Sequence, residues 1–205
     1  MMPANAGGIA VSRETSARLE ILAERLRQWN PRINLVSRRS VDDLWRRHIR
    51  DSVQLFAIAP PHAAHWLDIG SGGGFPGLVI AAMKDEPGAP EKITLVESDT
   101  RKCAFLRSVI REAALDATVL PARIEALDNL SATVISARAL APLSRLLDMA
   151  HRHATPDATC LFPKGRTWAQ EVADAQSAWS FDYQAVTSQT EHDAVILKIG
   201  GLTRA

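Results

Sequence analysis

Near the start of the chain, Leu19, Leu22, Leu26 and Trp29 stand three or four positions apart with Arg and Glu between them. This spacing predicts an amphipathic helix over residues 12–29, ended by Asn30-Pro31. A second helix is predicted over residues 41–58, with Leu44, Trp45, His48, Ser52, Leu55 and Phe56 on one side and Arg46, Arg47 and Arg50 on the other; Pro60-Pro61 stops it. Beyond residue 63 the rhythm changes. Short apolar runs at 64–69, 92–97, 118–120, 133–136 and 159–162 alternate with helical stretches at 76–84, 100–114, 142–153 and 167–179, the pattern of βαβ units on a mostly parallel sheet. Runs at 181–187 and 194–199 flank the polar turn 188–193 and predict two antiparallel strands that close the sheet. The expected class is α/β, with a helical extension over residues 1–62 ahead of a sheet domain over 63–205.

The most informative segment is Trp66-Leu67-Asp68-Ile69-Gly70-Ser71-Gly72-Gly73-Gly74-Phe75-Pro76-Gly77. Glycine in such numbers weakens a fold unless backbone must approach something closely, and Pro76 stands where a first helical turn tolerates it. Two cofactor classes compete. Gly72-x-Gly74-x-x-Gly77 satisfies the dinucleotide pattern and Glu97 lies 20 residues after Gly77, so a nicotinamide-dependent oxidoreductase is a rival reading. Charge favours the other class. Asp68 beside a pyrophosphate would cost about 1–4 kcal/mol at roughly 4 Å, whereas S-adenosylmethionine has no phosphate and carries a sulfonium and an ammonium group. Glu97, at the end of the second strand, can accept hydrogen bonds from both hydroxyls of a ribose in either cofactor. Thr100 is expected to cap the next helix, whose buried face reads Cys103, Leu106, Ile110 and Ala113.

The run from Leu67 to Gly77, then Leu95-Val96-Glu97-Ser98 with Arg101-Lys102, Arg123-Ile124-Glu125 and Ile135-Ser136-Ala137-Arg138-Ala139, resembles the RsmG (glucose-inhibited division protein B) family of bacterial 16S rRNA guanine-N7 methyltransferases. Trp29-Asn30, Asn34-Leu35-Val36-Ser37 and Arg47-His48-Ile49-Arg50-Asp51-Ser52 resemble its N-terminal segment, so the match spans about residues 29–164. The resemblance implies a Rossmann-like class I S-adenosylmethionine-dependent methyltransferase with a seven-stranded sheet. It implies a cofactor site at Gly70 and Phe75, with Glu97 on the ribose, Ile124 and Glu125 beside the adenine, and Arg138 at the fourth strand end. Asp68, Gly72 and Gly74 complete the expected cofactor set. Lys164, after the fifth strand, resembles a further family feature and is a candidate phosphate contact. Arg138 and Lys164 are candidates for positioning substrate. No general base is expected, because guanine N7 already presents a lone pair. His48 is expected to be a hydrogen-bonded packing histidine, and Trp29 and Trp45 to be core residues.

Composition changes the picture at one point. The 205 residues are 46% hydrophobic and 23% charged, as in an ordinary globular domain, and the net charge of +1 argues against a nucleic-acid partner. Residues 1–65, however, hold ten arginines against six carboxylates, a net of +4, which leaves −3 for the remainder. Arg38, Arg39, Arg46 and Arg47 are therefore candidate phosphate contacts. The expected partner is 16S rRNA, in the small subunit or an assembly intermediate, bound by a monomer; a non-catalytic RNA-binding module would not need Glu97 and Arg138 at strand ends. Cys103 and Cys160, 57 residues apart, suggest buried thiols and no metal site. No leader pattern and no apolar run longer than 78–83 predict a cytoplasmic protein without a membrane span.

Overall fold

Helix α1 (Arg13–Ile33) starts where Ser12 Oγ accepts the Thr15 N–H at 3.1 Å. The computed structural model describes residues 5–6 and 9–205, with side chains from Val11 onward except that of Arg38. α1 runs past Pro31, the expected stop. A proline in the last turn forfeits one intrahelical bond, and Asn34, left-handed at φ 50°, closes the helix by donating its N–H to Asn30 O. The second predicted helix is broken into α2 (Arg38–Val41) and a π-helical turn, Trp45–Arg50, that leads directly into α3 (Asp51–Ile58). The wider π turn rotates the faces, so Ile49 and Val53 enter the core while Trp45 and Phe56 stay half-buried.

The sheet strands are β1 (Trp66–Ile69), β2 (Ile93–Glu97), β3 (Thr118–Pro121), β4 (Ala132–Ser136), β5 (Ala154–Lys164), β6 (Trp179–Thr187) and β7 (Val195–Arg204). Between them lie α4 (Gly77–Ala82), α5 (Thr100–Glu112), α6 (Leu143–His153) and α7 (Trp168–Ala175). The strand order is β3-β2-β1-β4-β5-β7-β6, with the first five parallel and β7 antiparallel to both neighbours. β5 begins five residues before the expected 159, because Ala154 already pairs with Ala132 across a register shift. α7 stops at Ala175, and Trp179 opens β6 under the guanidinium of Arg204, 4.0 Å from its ring. Asp99 rather than Thr100 caps α5, accepting the Arg101 N–H at 2.8 Å; Phe105 and Val109 join Cys103 and Leu106 on its buried face.

Helices α1, α3, α4 and α5 cover one face of the sheet and α6 and α7 the other. Leu19, Leu22 and Leu26 of α1 are buried in the same cluster as Leu78 and Phe105, and Trp29 meets Phe105 edge-on at 5.9 Å. Each such leucine contributes about 1.5–3 kcal/mol. The N-terminal helices thus differ from residues 63–205 in charge while sharing their core. Both cysteines are free and buried. Among the described residues no helix is long and apolar enough to cross a membrane. The strand order reverses between β1 and β4, and in open α/β sheets ligands bind outside the carboxyl ends at that point.

Candidate functional site

A cleft of about 1710 Å³ opens there. Of the residues placed in the cofactor set, Gly70, Gly72, Phe75, Glu97, Ile124, Glu125 and Arg138 line it; Asp68 and Gly74 do not. Gly70 (φ +68°) lies under Leu140, and a Cβ there would come within 2.7 Å of Leu140 Cδ1. Gly74 (φ +87°) packs instead beneath Leu78, whose side chain a Cβ would overlap.

Asp68 corrects the sequence reading. Its side chain is fully buried behind the loop, where Oδ1 accepts from Ser136 Oγ at 2.8 Å and Oδ2 accepts the Gly77 N–H at 3.2 Å. Burial pushes the carboxyl up to about 6, opposed by those hydrogen bonds. Its charge therefore acts from within, holding β4 and the head of α4 to β1, rather than facing a ligand.

Glu97 shapes the opposite wall. Oε2 accepts the Gly72 N–H and Oε1 the Asp99 N–H, each at 2.8 Å. Each carboxylate oxygen retains acceptor capacity toward the cleft. Beyond β3 a 3-10 turn, Ile124–Ala126, brings buried Ile124 and half-buried Glu125 to the rim. Glu125's own N–H, and then Arg145 at 3.2 Å, hold its carboxyl below the ordinary range.

Arg138, two residues past the end of β4 at Ser136, joins the sheet to the N-terminal helices. Its Nη1 donates to Arg47 O at 3.2 Å and lies 3.5 Å from Asp51 Oδ2, and its guanidinium stands 5.1 Å from the Phe75 ring centre. Burial lowers its pKa, offset by Asp51 and Asp68, and raises that of Asp51. His48 stacks on the same Phe75 ring, centroids 5.0 Å apart at 26°. Contrary to expectation, both its ring nitrogens are buried without a hydrogen-bond partner. Burial, with Arg138 and Arg47 nearby, pushes its pKa down to about 3, so the ring is neutral.

The expected RNA contacts divide. Arg46 and Arg47 line the cleft rim, where Arg46 bonds Asp43 at 2.8 Å and Thr190 O at 3.0 Å, and Arg47 faces Glu191 at 3.8 Å. Arg39 is exposed on α2 and lies outside the cleft lining; the side chain of Arg38 lies outside the described residues. Lys164 departs from the expectation. It lines the cleft but is buried, with Nζ donating to Ala141 O at 3.0 Å and to Glu171 Oε2 at 2.8 Å, and Oε2 also accepts the Leu143 N–H that opens α6. Its charge is committed to the protein.

The sequence left one wall unannounced. The turn 188–193 closes the cleft from the C-terminal side: Thr190 Oγ1 donates to Asp51 Oδ1 at 2.8 Å, and Gln189 N–H to Gln54 Oε1 at 2.7 Å. Its polar composition is the only local signal, and nothing in the periodicity ties it to residues more than 130 positions away.

The profile of the GidB family, rRNA small subunit methyltransferase G, matches residues 15–197. The protein named Ribosomal RNA small subunit methyltransferase G of Ruegeria sp. (strain TM1040) is 53% identical over 194 residues, covering 95% of this chain and 94% of its own. Its namesake in Ruegeria pomeroyi is 52% identical over 204 residues and all of both chains. That of Paracoccus denitrificans is 50% identical over 198 residues, 96% of this chain and 100% of its own. Among solved structures, the ribosomal protein L11 methylase of Lactobacillus delbrueckii subsp. bulgaricus superimposes with a TM-score of 0.56 at 15% identity, over 78% of each chain. M. jannaschii TYW2 in complex with AdoMet gives 0.55 at 10% identity, over 77% of this chain and 76% of its own. These two share the class I methyltransferase fold with it. By its matching profile and full-length relatives, the chain belongs to the rRNA small subunit methyltransferase G family.

Proposed function

We propose that the protein transfers a methyl group from S-adenosylmethionine to N7 of a specific guanine in a loop of the decoding region of 16S rRNA. The observation that carries the cofactor reading is the Asp68–Gly77 bond: the first N–H of α4, where a dinucleotide would seat its pyrophosphate, already holds a carboxylate. The remaining residues fit S-adenosylmethionine. Glu97 keeps acceptor capacity for a ribose diol, Ile124 supplies apolar surface for adenine beside Glu125, and Gly70, Gly72 and Phe75 supply the close backbone. Arg138 has donors beyond those given to Arg47 and Asp51, suited to a carboxylate at the methionine end or to an RNA phosphate.

S-adenosylmethionine, when bound, supplies an electrophilic methyl on a sulfonium. The protein's own residues then have positioning work to do, which can contribute several kcal/mol. Guanine N7 needs no deprotonation, and at the cleft His48, at about 3, is a poor base at neutral pH, Glu125 is held below the carboxylate range, and Asp51, raised by burial, is engaged by Thr190 and Arg138. Arg46 and Arg47 at the rim, with Arg39 and Arg38 on α2, are the candidate contacts to the RNA backbone. The base itself must leave its stack to reach the cleft.

Thermal shift with S-adenosylmethionine or S-adenosylhomocysteine, against NAD and NADP, tests the cofactor; stabilisation by the nicotinamides alone overturns it. Nucleoside analysis of small-subunit rRNA from a deletion strain tests the product. One 7-methylguanosine is expected to vanish and to return on complementation.

A further inference from the structure

Among the described residues two large apolar side chains are exposed, Leu140 at 40% and Tyr183 at 43%. Tyr183 sits on edge strand β6 beside Phe181. Leu140 sits in the cleft. It follows Arg138 and Ala139, and Ala139 is held at φ +52°, a left-handed conformation that alanine adopts only where its surroundings impose it. Beyond this turn Leu140 lies against Gly70, which has room for it only because it lacks a side chain. The next leucines in the chain, Leu143, Leu146 and Leu147, are buried in the core. The chain thus holds one leucine out of the core and lays it over the first glycine of the cofactor loop.

Leu140 shares the lining of this cleft with Phe75, Ile124 and Arg138, and its exposed apolar surface suits a flat apolar partner. The cofactor's adenine is placed after β3, at Ile124 and Glu125, whereas Leu140 lies after β4, next to Arg138. We infer that Leu140 is the platform against which the face of the extruded target guanine packs, setting its N7 toward the methyl group. A base taken out of its stack regains a stacking surface on an apolar side chain in this way. This inference rests on the methyltransferase reading above.

The test uses small subunits from a strain lacking the enzyme, with the full chain and its variants. Leu140→Ala is expected to lower kcat/KM for subunits about tenfold, the scale of a single base-stacking interaction. Leu140→Asn, of similar size but polar, is expected to show the same loss, and Leu140→Phe to retain wild-type activity. S-adenosylhomocysteine affinity, by calorimetry, is expected to fall by clearly less than kcat/KM in Leu140→Ala and Leu140→Asn, because Leu140 touches the cofactor loop at Gly70 while its exposed surface is left for the base. Unchanged kcat/KM in Leu140→Ala overturns the inference. So does a loss of S-adenosylhomocysteine affinity equal to the loss in kcat/KM, which would make Leu140 part of the cofactor wall. A wild-type chain that binds the cofactor but does not methylate subunits removes the parent reading, a result separate from either of these.

Discussion

The carboxylate of Asp68 accepts the backbone N–H of Gly77 at 3.2 Å across the whole glycine loop, while its other oxygen takes the hydroxyl of Ser136. One buried acid thus ties together the end of β1, the end of β4 and the head of α4, and the loop between them is shaped around it. The charge that argues against a dinucleotide does so by occupying the helix terminus rather than by repelling a phosphate across the cleft.

Removing that acid should cost stability first. Asp68→Ala leaves the Gly77 N–H unpaired and the Ser136 O–H without its acceptor, although Ser136 Oγ still accepts the Trp66 indole N–H, and is expected to destabilise the fold by about 2–4 kcal/mol, at about 1–3 kcal/mol for each buried donor left unpaired. Urea denaturation, with and without S-adenosylhomocysteine, checks it.

The same residue predicts a pH dependence. Its folded pKa of about 6 lies above the ordinary 3.8, so the folded chain holds this proton more tightly than the unfolded chain. Its contribution to stability is then greatest below about pH 4 and is lost as pH rises to about 6, a change of order 3 kcal/mol. The stability of wild type relative to Asp68→Asn should fall across that window; a difference independent of pH would contradict the assignment.

Glu97 should matter to the cofactor more than to the fold. Glu97→Gln turns an amide N–H toward the N–H of either Gly72 or Asp99 and removes the charge offered to a diol. Loss of one charge-assisted hydrogen bond, about 1.5–3 kcal/mol, corresponds to roughly 10- to 100-fold weaker S-adenosylhomocysteine binding by calorimetry.

The two kinds of cation should separate in salt titrations. Arg46→Ala and Arg47→Ala are expected to reduce the slope of log affinity for rRNA against log salt by roughly 0.7–0.9 for each phosphate that the arginine neutralises. Lys164→Met should leave that slope unchanged and instead lower stability by about 1.5–3 kcal/mol, because it removes the charge-assisted bond to the half-buried carboxylate of Glu171, which keeps only neutral donors such as the Leu143 N–H.

His48 carries two unpaired ring nitrogens against the Phe75 ring. His48→Phe keeps a stacked ring and removes the unpaired polar atoms, so the free protein is expected to melt higher, by about 1–2 kcal/mol of stability. A drop in methylation of small subunits by this more stable variant would show that the imidazole is kept for substrate.

Much of this molecule is local and therefore legible in the chain. The β/α alternation, the glycine loop, Glu97 at the end of β2 and Arg138 just past β4 follow from periodicity and from glycine spacing, because strands and loops of this kind are specified over fewer than a dozen residues. The excess of arginine before residue 65 is likewise a property of composition. What the chain does not disclose depends on partners far away in sequence. Asp68 reads as a ligand-facing acid until Ser136 is seen to meet it, and Lys164 as a phosphate contact until Glu171 claims it. His48 reads as a satisfied core residue until the π turn of Trp45–Arg50 sets it against Phe75 with no partner. In each case residue type and spacing place the group near the cleft. Whether its charge or hydrogen bond is free for a ligand or already spent inside the protein is decided only when the sheet brings β1, β4 and the N-terminal helices together.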